Sequence, residues 1–382
     1  MKKVAVIFGT RPEVIKMAPV IWELKKCDTF RTVVINAAQH RNMLDQMLPV
    51  LEIEPDEDLD VMIRGQDLSG LTVNILHNIT QSLKRIKPDL LLVQGDTTTV
   101  FASALSAFYA GIPVGHVEAG LRSGNMLNPF PEEANRKLVG TLSHLHFAPT
   151  QRAKENLIQE NIPSDKIFVT GNTVIDALLA TANKNLDNNL SESLIINNPQ
   201  KLLVLITSYR RESWGESMHK SFKGIRKLAD RFDHINFLFP VHLNPVVREV
   251  AQKVFGNAEN VYMIRPLDYV SFVHAMKKAV LIITDSGGIQ EEAPAFGTPV
   301  LVMRDTTERQ EAIDSGRAIL VGSNPETIYN AGAALLTDRD MYAKMSRQGS
   351  PFGDGKAGQR IAKAVLRWLA GSTSLLDPSE QF

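Results

Sequence analysis

Leu281-Ile-Ile-Thr-Asp-Ser-Gly-Gly-Ile-Gln-Glu-Glu-Ala-Pro294 reads as a short apolar strand that runs through a small-residue turn straight into a helix. Ser286, Gly287 and Gly288 leave the first helical N–H groups uncovered, and Ser286 can either cap them or hydrogen-bond a ligand. Free N–H groups and positive partial charge at a helix start are the ingredients of an anion site. Glu291 and Glu292 follow in the first turn or two, where one of them, facing a ligand, would accept both hydroxyls of a ribose. An ordinary capped strand-to-helix turn has the same residue pattern, so the rest of the chain decides between the two.

Outward from that stretch, short β-branched runs alternate with helical patterns along the whole chain, the signature of parallel βαβ units. Strands are expected at 4–8, 32–35, 90–94, 114–117, 145–148 and 167–169, with helices at 13–26, 71–86, 99–110 and 133–143. A polar stretch at 183–200, rich in Asn and Ser, marks the region of a domain junction. A second series then places strands at 202–207, 236–239, 261–264, 281–284, 300–302 and 319–321. Helices at 218–231, 245–255 and 269–277 connect them, and a last helix at about 358–369 could pack on either domain. The expected fold class is α/β, with two Rossmann-like domains facing across a cleft. Their expected extents are 1–175 and 176–357, with 358–382 a terminal helix and tail that could pack back on the first domain.

With 382 residues the chain is long enough for two cores, and its 44% hydrophobic content is that of a globular protein. Forty-two basic residues balance forty-two acidic ones, so no global charge favours nucleic acid or an anionic membrane. The apolar run after Met1-Lys-Lys3 is too short for a signal peptide, and no run reaches membrane-span length. Cys27 is the only cysteine, which excludes a disulfide framework and a cysteine-rich metal site. These features predict a cytoplasmic protein with no nucleic-acid or membrane partner.

Polar residues fall where the strands end, as ligand loops do in doubly wound sheets. Gly9-Thr-Arg-Pro-Glu13 follows the first strand, Gln39-His40 the second, Gly95-Asp-Thr-Thr-Thr99 the third and His116-Val-Glu-Ala-Gly-Leu-Arg122 the fourth. In the second half, Thr207-Ser-Tyr-Arg-Arg-Glu212 and Pro240-Val-His242 end their strands in the same way. Arg11 would point toward a phosphate or carboxylate, with Lys16 a turn further on; the spacing is not that of a Walker loop. Asp96 either caps the following helix or serves the site. Glu118 lies in a small, apolar setting, where burial would raise a carboxyl pKa toward the range useful for proton transfer. Of Glu132 and Glu133, one caps or pairs with Arg136 and the other faces the site. Three carboxylates on neighbouring loops suit a reaction that moves protons; they could also hold Mg²⁺, but no Asp-x-Asp pair on those loops supports that. Arg210, Arg211 and His242 make the second half's loops positive, as a diphosphate would require.

Taken in order, Gly9-Thr-Arg-Pro-Glu13, Gly95-Asp-Thr-Thr98, His116-Val-Glu-Ala-Gly-Leu-Arg122, Pro131-Glu-Glu133 with Asn135-Arg136, Thr170-Gly-Asn-Thr173 and Ser286-Gly-Gly-Ile-Gln-Glu-Glu-Ala-Pro294 closely resemble the non-hydrolysing UDP-N-acetylglucosamine 2-epimerases. The resemblance covers essentially the full chain. It implies a GT-B-like pair of Rossmann-type domains, a homodimer, and interconversion of UDP-N-acetylglucosamine and UDP-N-acetylmannosamine for bacterial surface polysaccharides. It also implies elimination of UDP to 2-acetamidoglucal and re-addition at the other face, without cofactor or metal. By the same resemblance Asp96, Glu118 and Glu132 are the catalytic carboxylates, with Arg11 in the catalytic site and Lys16 beside it. Ser286, Gly287, Gly288 and Glu292 match the UDP site. Gln39, Arg64, Arg210 and His242 match positions that bind a second, activating UDP-N-acetylglucosamine, with Arg210 and His242 also placed to bind substrate; Asn42 stands where a second glutamine is common.

One departure bears on catalysis. The family pattern Thr-x-His-Arg-Arg-Glu-Asn is here Thr207-Ser-Tyr-Arg-Arg-Glu-Ser213, so Tyr209 replaces a histidine placed near the leaving phosphate. Tyrosine donates one hydrogen bond but is not cationic near neutrality, its reference pKa being about 10. The expectation is a slower epimerase. The alternatives are a UDP-sugar glycosyltransferase of the same fold and a weakly active UDP-sugar-binding regulator.

Overall fold

The computed structural model describes residues 1–39, 41–63, 65–184, 201–210, 214–347 and 349–382, with Asn42 described by its backbone alone. It divides into two compact units, Met1–Ala177 with Phe352–Phe382, and Leu178–Pro351. The fold class expected from the sequence, α/β with two Rossmann-like domains, is the one observed. His40, Arg64 and 211–213 lie outside the described residues, as does 185–200 of the expected junction.

The first unit is built on β1 (Lys2–Phe8), β2 (Phe30–Asn36), β3 (Glu57–Asp58), β4 (Leu90–Gln94), β5 (Val114–Val117), β6 (Leu145–Ala148) and β7 (Ile167–Val169). Among the described residues they form one sheet in the order β3-β2-β1-β4-β5-β6-β7, every pair parallel. The central strands are covered on both faces, which is why β1 and β4 read as unbroken apolar runs rather than alternating ones. Helices α1 (Arg11–Lys25), α2 (Leu68–Ile86), α3 (Thr98–Tyr109), α4 (Glu132–Leu142), α5 (Gln151–Gln159) and α6 (Thr173–Thr181) make the connections. The strand order reverses between β1 and β4, so the loops leaving their carboxyl ends diverge and open a crevice.

The second unit repeats the plan. Its strands β8 (Leu203–Thr207), β9 (Asn236–Pro240), β10 (Val261–Ile264), β11 (Leu281–Thr284), β12 (Val300–Val302) and β13 (Ala318–Leu320) lie in the order β10-β9-β8-β11-β12-β13. Here the reversal falls between β8 and β11. Helices α7 (Glu216–Arg231), α8 (Pro245–Phe255), α9 (Tyr269–Lys278), α10 (Gly287–Glu292) and α11 (Pro325–Thr337) accompany them. Phe222, Phe239 and Phe255 stack edge-on and tilted in this unit's core.

Expected strands and helices match the observed ones within about three residues. Strand β3 and helices α5, α6 and α11 were not expected, nor were the short helices Arg41–Asp45, Met47–Val50, Gln310–Asp314 and Arg339–Met345. The β3 strand is two polar residues on a sheet edge, and α5 buries only Ala153 and Leu157, so neither carries a hydrophobic pattern. The start of α11 was legible, with Asn324 capping and Pro325 in the first turn.

The last helix, α12 (Ala357–Leu369), belongs to the first unit and lies on α1. Gly358 makes this approach possible: a Cβ there would stand 2.7 Å from the Pro19 carbonyl oxygen, on rigid backbone. Asp176 of α6 accepts the Gly358 N–H at 2.8 Å, so the start of α12 is held from two sides. Replacing Gly358 by Ala should therefore destabilise the first unit by about 1–3 kcal/mol, as overpacking does. Thermal unfolding followed by circular dichroism reads the effect; an unchanged midpoint would mean that the two helices do not approach so closely.

Candidate active site

In the first unit the chemistry-bearing residues gather at the carboxyl ends of β1, β4 and β5. Thr10 and Glu13 form a capping box at the start of α1, with the Glu13 carboxylate accepting the N–H of Gly9 at 2.6 Å and of Thr10 at 3.3 Å. The Thr97 hydroxyl, from the loop after β4, donates to the same carboxylate. Glu13 is thus a strut between the two diverging loops. It is almost wholly buried, and that desolvation pushes its pKa up to about 7 despite the three donors. Arg11, two residues earlier, is exposed, and among the described residues no carboxylate pairs with it.

Glu118 stands at the turn that ends β5, with φ of +65°, a left-handed conformation that costs an ordinary side chain energy and recurs at functional sites. Two residues on, Gly120 has φ of +91°, and a Cβ there would run into the Ala153 carbonyl oxygen at 2.1 Å. The His-Val-Glu-Ala-Gly sequence is therefore a backbone device that turns Glu118 inward. Its buried carboxylate receives the Lys16 ammonium at 2.5 Å, the Gln94 amide, and the Asn172 amide at 3.1 Å. A Cβ on Gly95 would lie 3.8 Å from the Glu118 Oε2, which puts the carboxylate next to the residue that precedes Asp96.

Asp96 is gripped by Arg136 of α4, at 2.7 and 2.9 Å, and its carbonyl accepts the Asn135 amide at 2.8 Å. Arg136 also reaches Glu133 at 3.0 Å. The buried Glu133 in addition accepts the N–H groups of Ser123 and Gly124. Burial alone would raise its pKa, but these donors and Arg136 outweigh that and hold it below the usual carboxylate range. The acid pair is thereby divided. Glu133 ties α4 to the loop after β5, while Glu132, half-buried at the helix start, has no side-chain partner among the described residues. Behind this layer His116 Nε2 reaches the Gly95 carbonyl oxygen, 2.8 Å away. Burial lowers its pKa to about 4, so the ring is neutral at neutral pH and its Nε2–H is the donor to that carbonyl. Gln39 accepts the Thr99 hydroxyl at 2.7 Å, close against Gly9.

In the second unit Asp285, just past β11, is fully buried and accepts the Tyr209 N–H at 2.9 Å, the Arg210 N–H at 3.2 Å and the Ser208 hydroxyl at 3.1 Å. Desolvation raises its pKa, and those donors work against the rise. It was not among the residues the sequence singled out, although an acid ending an apolar strand was visible there. Tyr209 stands edge-on to His242, ring centres 6.2 Å apart. His242 accepts the Asn244 N–H on Nδ1 at 3.1 Å, which leaves Nε2 to carry the proton of the neutral ring.

Ser286 precedes α10 and makes no side-chain cap to it, and Gly288 is exposed. A Cβ on Gly287 would stand 3.2 Å from a Glu308 oxygen, 3.4 Å from Arg309 and 3.5 Å from Arg210. Glu308 pairs with Arg210, Arg304 and Arg309 at 2.8–3.0 Å. Burial works to raise its pKa, but Arg309, Arg210 and Arg304 hold it down to about 2. Glu291 is buried and pairs with Arg309 at 2.7 Å, whereas Glu292 is half-buried with a carboxylate oxygen 3.9 Å from the Cβ position of Gly288. The acid nearer the glycine turn is therefore Glu292. Among the described residues no three His, Cys, Asp or Glu side chains group as metal ligands would, and no helix is long and apolar enough to cross a membrane.

Comparison with known proteins follows the same lines. The family model described as UDP-N-acetylglucosamine 2-epimerase matches residues 22–366. The UDP-N-acetylglucosamine 2-epimerase of Bacillus subtilis is 50% identical over 364 residues, covering 95% of this chain and 95% of its own. A solved structure of a putative UDP-N-acetylglucosamine 2-epimerase from Listeria monocytogenes superimposes with a TM-score of 0.92 at 43% identity, over 100% of both chains. That of the Neisseria meningitidis UDP-GlcNAc 2-epimerase, bound to UDP-GlcNAc, gives 0.86 at 47% identity, over 96% of this chain and 100% of the other.

The raised pKa of Glu13 has a consequence for stability. Its folded value lies above the unfolded one, so its stabilising contribution is complete below about pH 4.5 and is lost as pH rises through about 7. Glu13→Gln cannot titrate. The variant's stability relative to the parent should therefore rise between pH 4.5 and pH 7, by up to about 3 kcal/mol. Urea unfolding at pH 5 and pH 8 measures the difference; a constant gap would exclude titration of this carboxyl.

Proposed function

The chain belongs to the UDP-N-acetylglucosamine 2-epimerase family, and from that premise we propose that it interconverts UDP-N-acetylglucosamine and UDP-N-acetylmannosamine by elimination and re-addition of UDP. A carboxylate removes the proton from C2. The C1–O bond to the β-phosphate breaks, with its electron pair leaving on UDP, and a C1=C2 double bond forms to give 2-acetamidoglucal. UDP then adds back to C1 while a proton returns to C2 from the opposite face. Atoms and charge balance without an external oxidant or reductant.

The observation that carries this reading is the Glu118 carboxylate, turned inward by its left-handed backbone and held beside Lys16 and the Gly95–Asp96 turn. Asp96, Glu118 and Glu132 are the proton-transfer groups, and Arg11 supplies positive charge at the same loop cluster. Lys16 neutralises Glu118 in the resting state. In the second unit, Ser286, Gly287 and Gly288 hold the diphosphate with Arg210 and His242, and Glu292 accepts the ribose hydroxyls. Tyr209 donates to the leaving phosphate from the loop that Asp285 secures. The UDP-GlcNAc-bound relative from Neisseria meningitidis supports this substrate class. The enzyme acts in the cytoplasm as a homodimer, supplying an activated 2-acetamido sugar for surface polysaccharide. A second UDP-N-acetylglucosamine at Gln39, Arg210 and His242 would activate it; Arg64, the fourth residue of that set, lies outside the described residues.

Two substitution experiments test the assignment. Asp96→Asn, Glu118→Gln and Glu132→Gln should each lower turnover by about 10²–10⁴-fold, the usual value of a general acid or base. Turnover is read from chromatographic separation of the two UDP-sugars, with circular dichroism confirming the fold. Full activity in any of the three removes that residue from the mechanism. Tyr209→His should raise kcat by about 10-fold or more, since a stronger donor returns to the leaving group; unchanged turnover would show that the tyrosine is no handicap.

A further inference from the structure

Thr170-Gly-Asn-Thr173 has no part in the chemistry described so far, yet it holds one of the most tightly specified side chains in the first unit. Asn172 is 2% exposed and sits immediately before α6. Its Oδ1 accepts the Val174 N–H at 3.1 Å, an N-cap bond. That bond fixes the amide orientation, because a backbone N–H can only meet the oxygen side. The Nδ2 is consequently turned toward Glu118, to whose Oε1 it donates at 3.1 Å. The Asn172 N–H in turn donates to the Phe352 carbonyl at 2.6 Å, at the residue where the chain returns to the first unit.

The surrounding backbone is shaped for this contact. Gly171 has φ of +83°, and a Cβ on it would stand 3.2 Å from the Gly353 Cα. A Cβ on Gly353 would stand 3.3 Å from the Asn172 carbonyl oxygen. Two glycines thus let the segments pass close enough for the Asn172 N–H to reach Phe352. A helix cap alone would be served equally by Ser, Thr or Asp. Of the four, serine and threonine are too short to reach Glu118 and aspartate offers it no donor, so only asparagine both caps the helix and donates to that carboxylate.

Donors from α1, from β4 and from the segment after β7 therefore converge on Glu118. Hydrogen bonds to the ionised form favour it over the acid, and each also restricts the carboxylate's rotation. We propose that Asn172 is a positioning residue of the epimerisation reaction, holding the Glu118 carboxylate ionised and oriented and anchoring it to the return segment at Phe352. The inference rests on the reading of Glu118 as a proton-transfer group and assigns to that group the partner that sets its geometry.

Asn172→Ser tests it in the full-length enzyme, because serine keeps a capping oxygen but is too short to reach Glu118. The expected result is a fall in kcat of about tenfold, the factor that about 1.4 kcal/mol represents. KM for UDP-N-acetylglucosamine should stay within about threefold, since the contact orients a reacting group rather than the nucleotide. Asn172→Asp keeps the length and the capping oxygen but sets a second carboxylate against Glu118. It should lose more activity than the serine variant, and it carries the test if that variant does not fold. Unchanged kcat in a folded variant, or a loss confined to KM, overturns the proposal and leaves Asn172 a helix cap. Glu118→Gln, assayed alongside, separates the two claims. If it stays active, the reading of Glu118 fails; if it is inactive while Asn172→Ser is fully active, only the positioning role fails.

Discussion

A buried carboxylate ties together the two loops that diverge at each sheet's point of strand reversal, and the arrangement of the site in each unit depends on it. In the first unit Glu13, from the loop after β1, accepts the Thr97 hydroxyl from the loop after β4. In the second, Asp285, past β11, accepts two N–H groups and a hydroxyl from the loop after β8. Backbone donors at a reversal point would otherwise be left unsatisfied beside a crevice, at about 1–3 kcal/mol each. A buried acid satisfies several at once and leaves the outer faces of both loops for a ligand. The same burial raises the pKa of both acids, so the struts are sensitive to protonation in a way that a hydroxyl or amide would not be.

On this frame the first unit sorts its acids by their partners. Glu133 and Asp96 share Arg136, which draws the start of α4 onto the loop after β4. Glu118 is fixed by donors on three other elements and by its own left-handed backbone, and Glu132 has no side-chain partner among the described residues. A fixed carboxylate and an unengaged one suit proton transfer to two faces of one carbon. The second unit is positive by contrast, with Arg210, Arg304 and Arg309 gathered on Glu308 beside the glycine turn. An internal carboxylate at that place marks where an anion is stabilised.

Much of this is legible in the sequence. Periodicity located every described strand but β3 and most of the long helices, because most parallel strands are buried on both faces and a long helix on one. The polar loops fell at strand ends, and the glycine turn at Ser286–Gly288 read correctly as a strand-to-helix junction. Tertiary contacts were not legible. Glu13 was visible as the third helical residue after a threonine, but nothing local showed that it is buried or that Thr97 reaches it. The residue pattern alone leaves Glu132 and Glu133 undivided and the resemblance chooses Glu132; the physical ground for dividing them is that Arg136 turns toward Glu133. Asp285 and Asn172 stand in stretches that the sequence singles out, but neither role was legible there because each side chain bonds to a residue more than fifty positions away. The polar edge strand at Glu57–Asp58 carries no hydrophobic signal at all.

The measurement that bears most directly on the account is proton NMR of UDP-N-acetylglucosamine incubated with the enzyme in deuterium oxide. Removal and return of the C2 proton by carboxylates open to solvent exchange predicts deuterium at C2 in the UDP-N-acetylmannosamine formed. It also predicts deuterium in the recovered gluco epimer as the reaction reverses. A manno product that keeps its C2 proton, or UDP released without any manno product, would contradict the account.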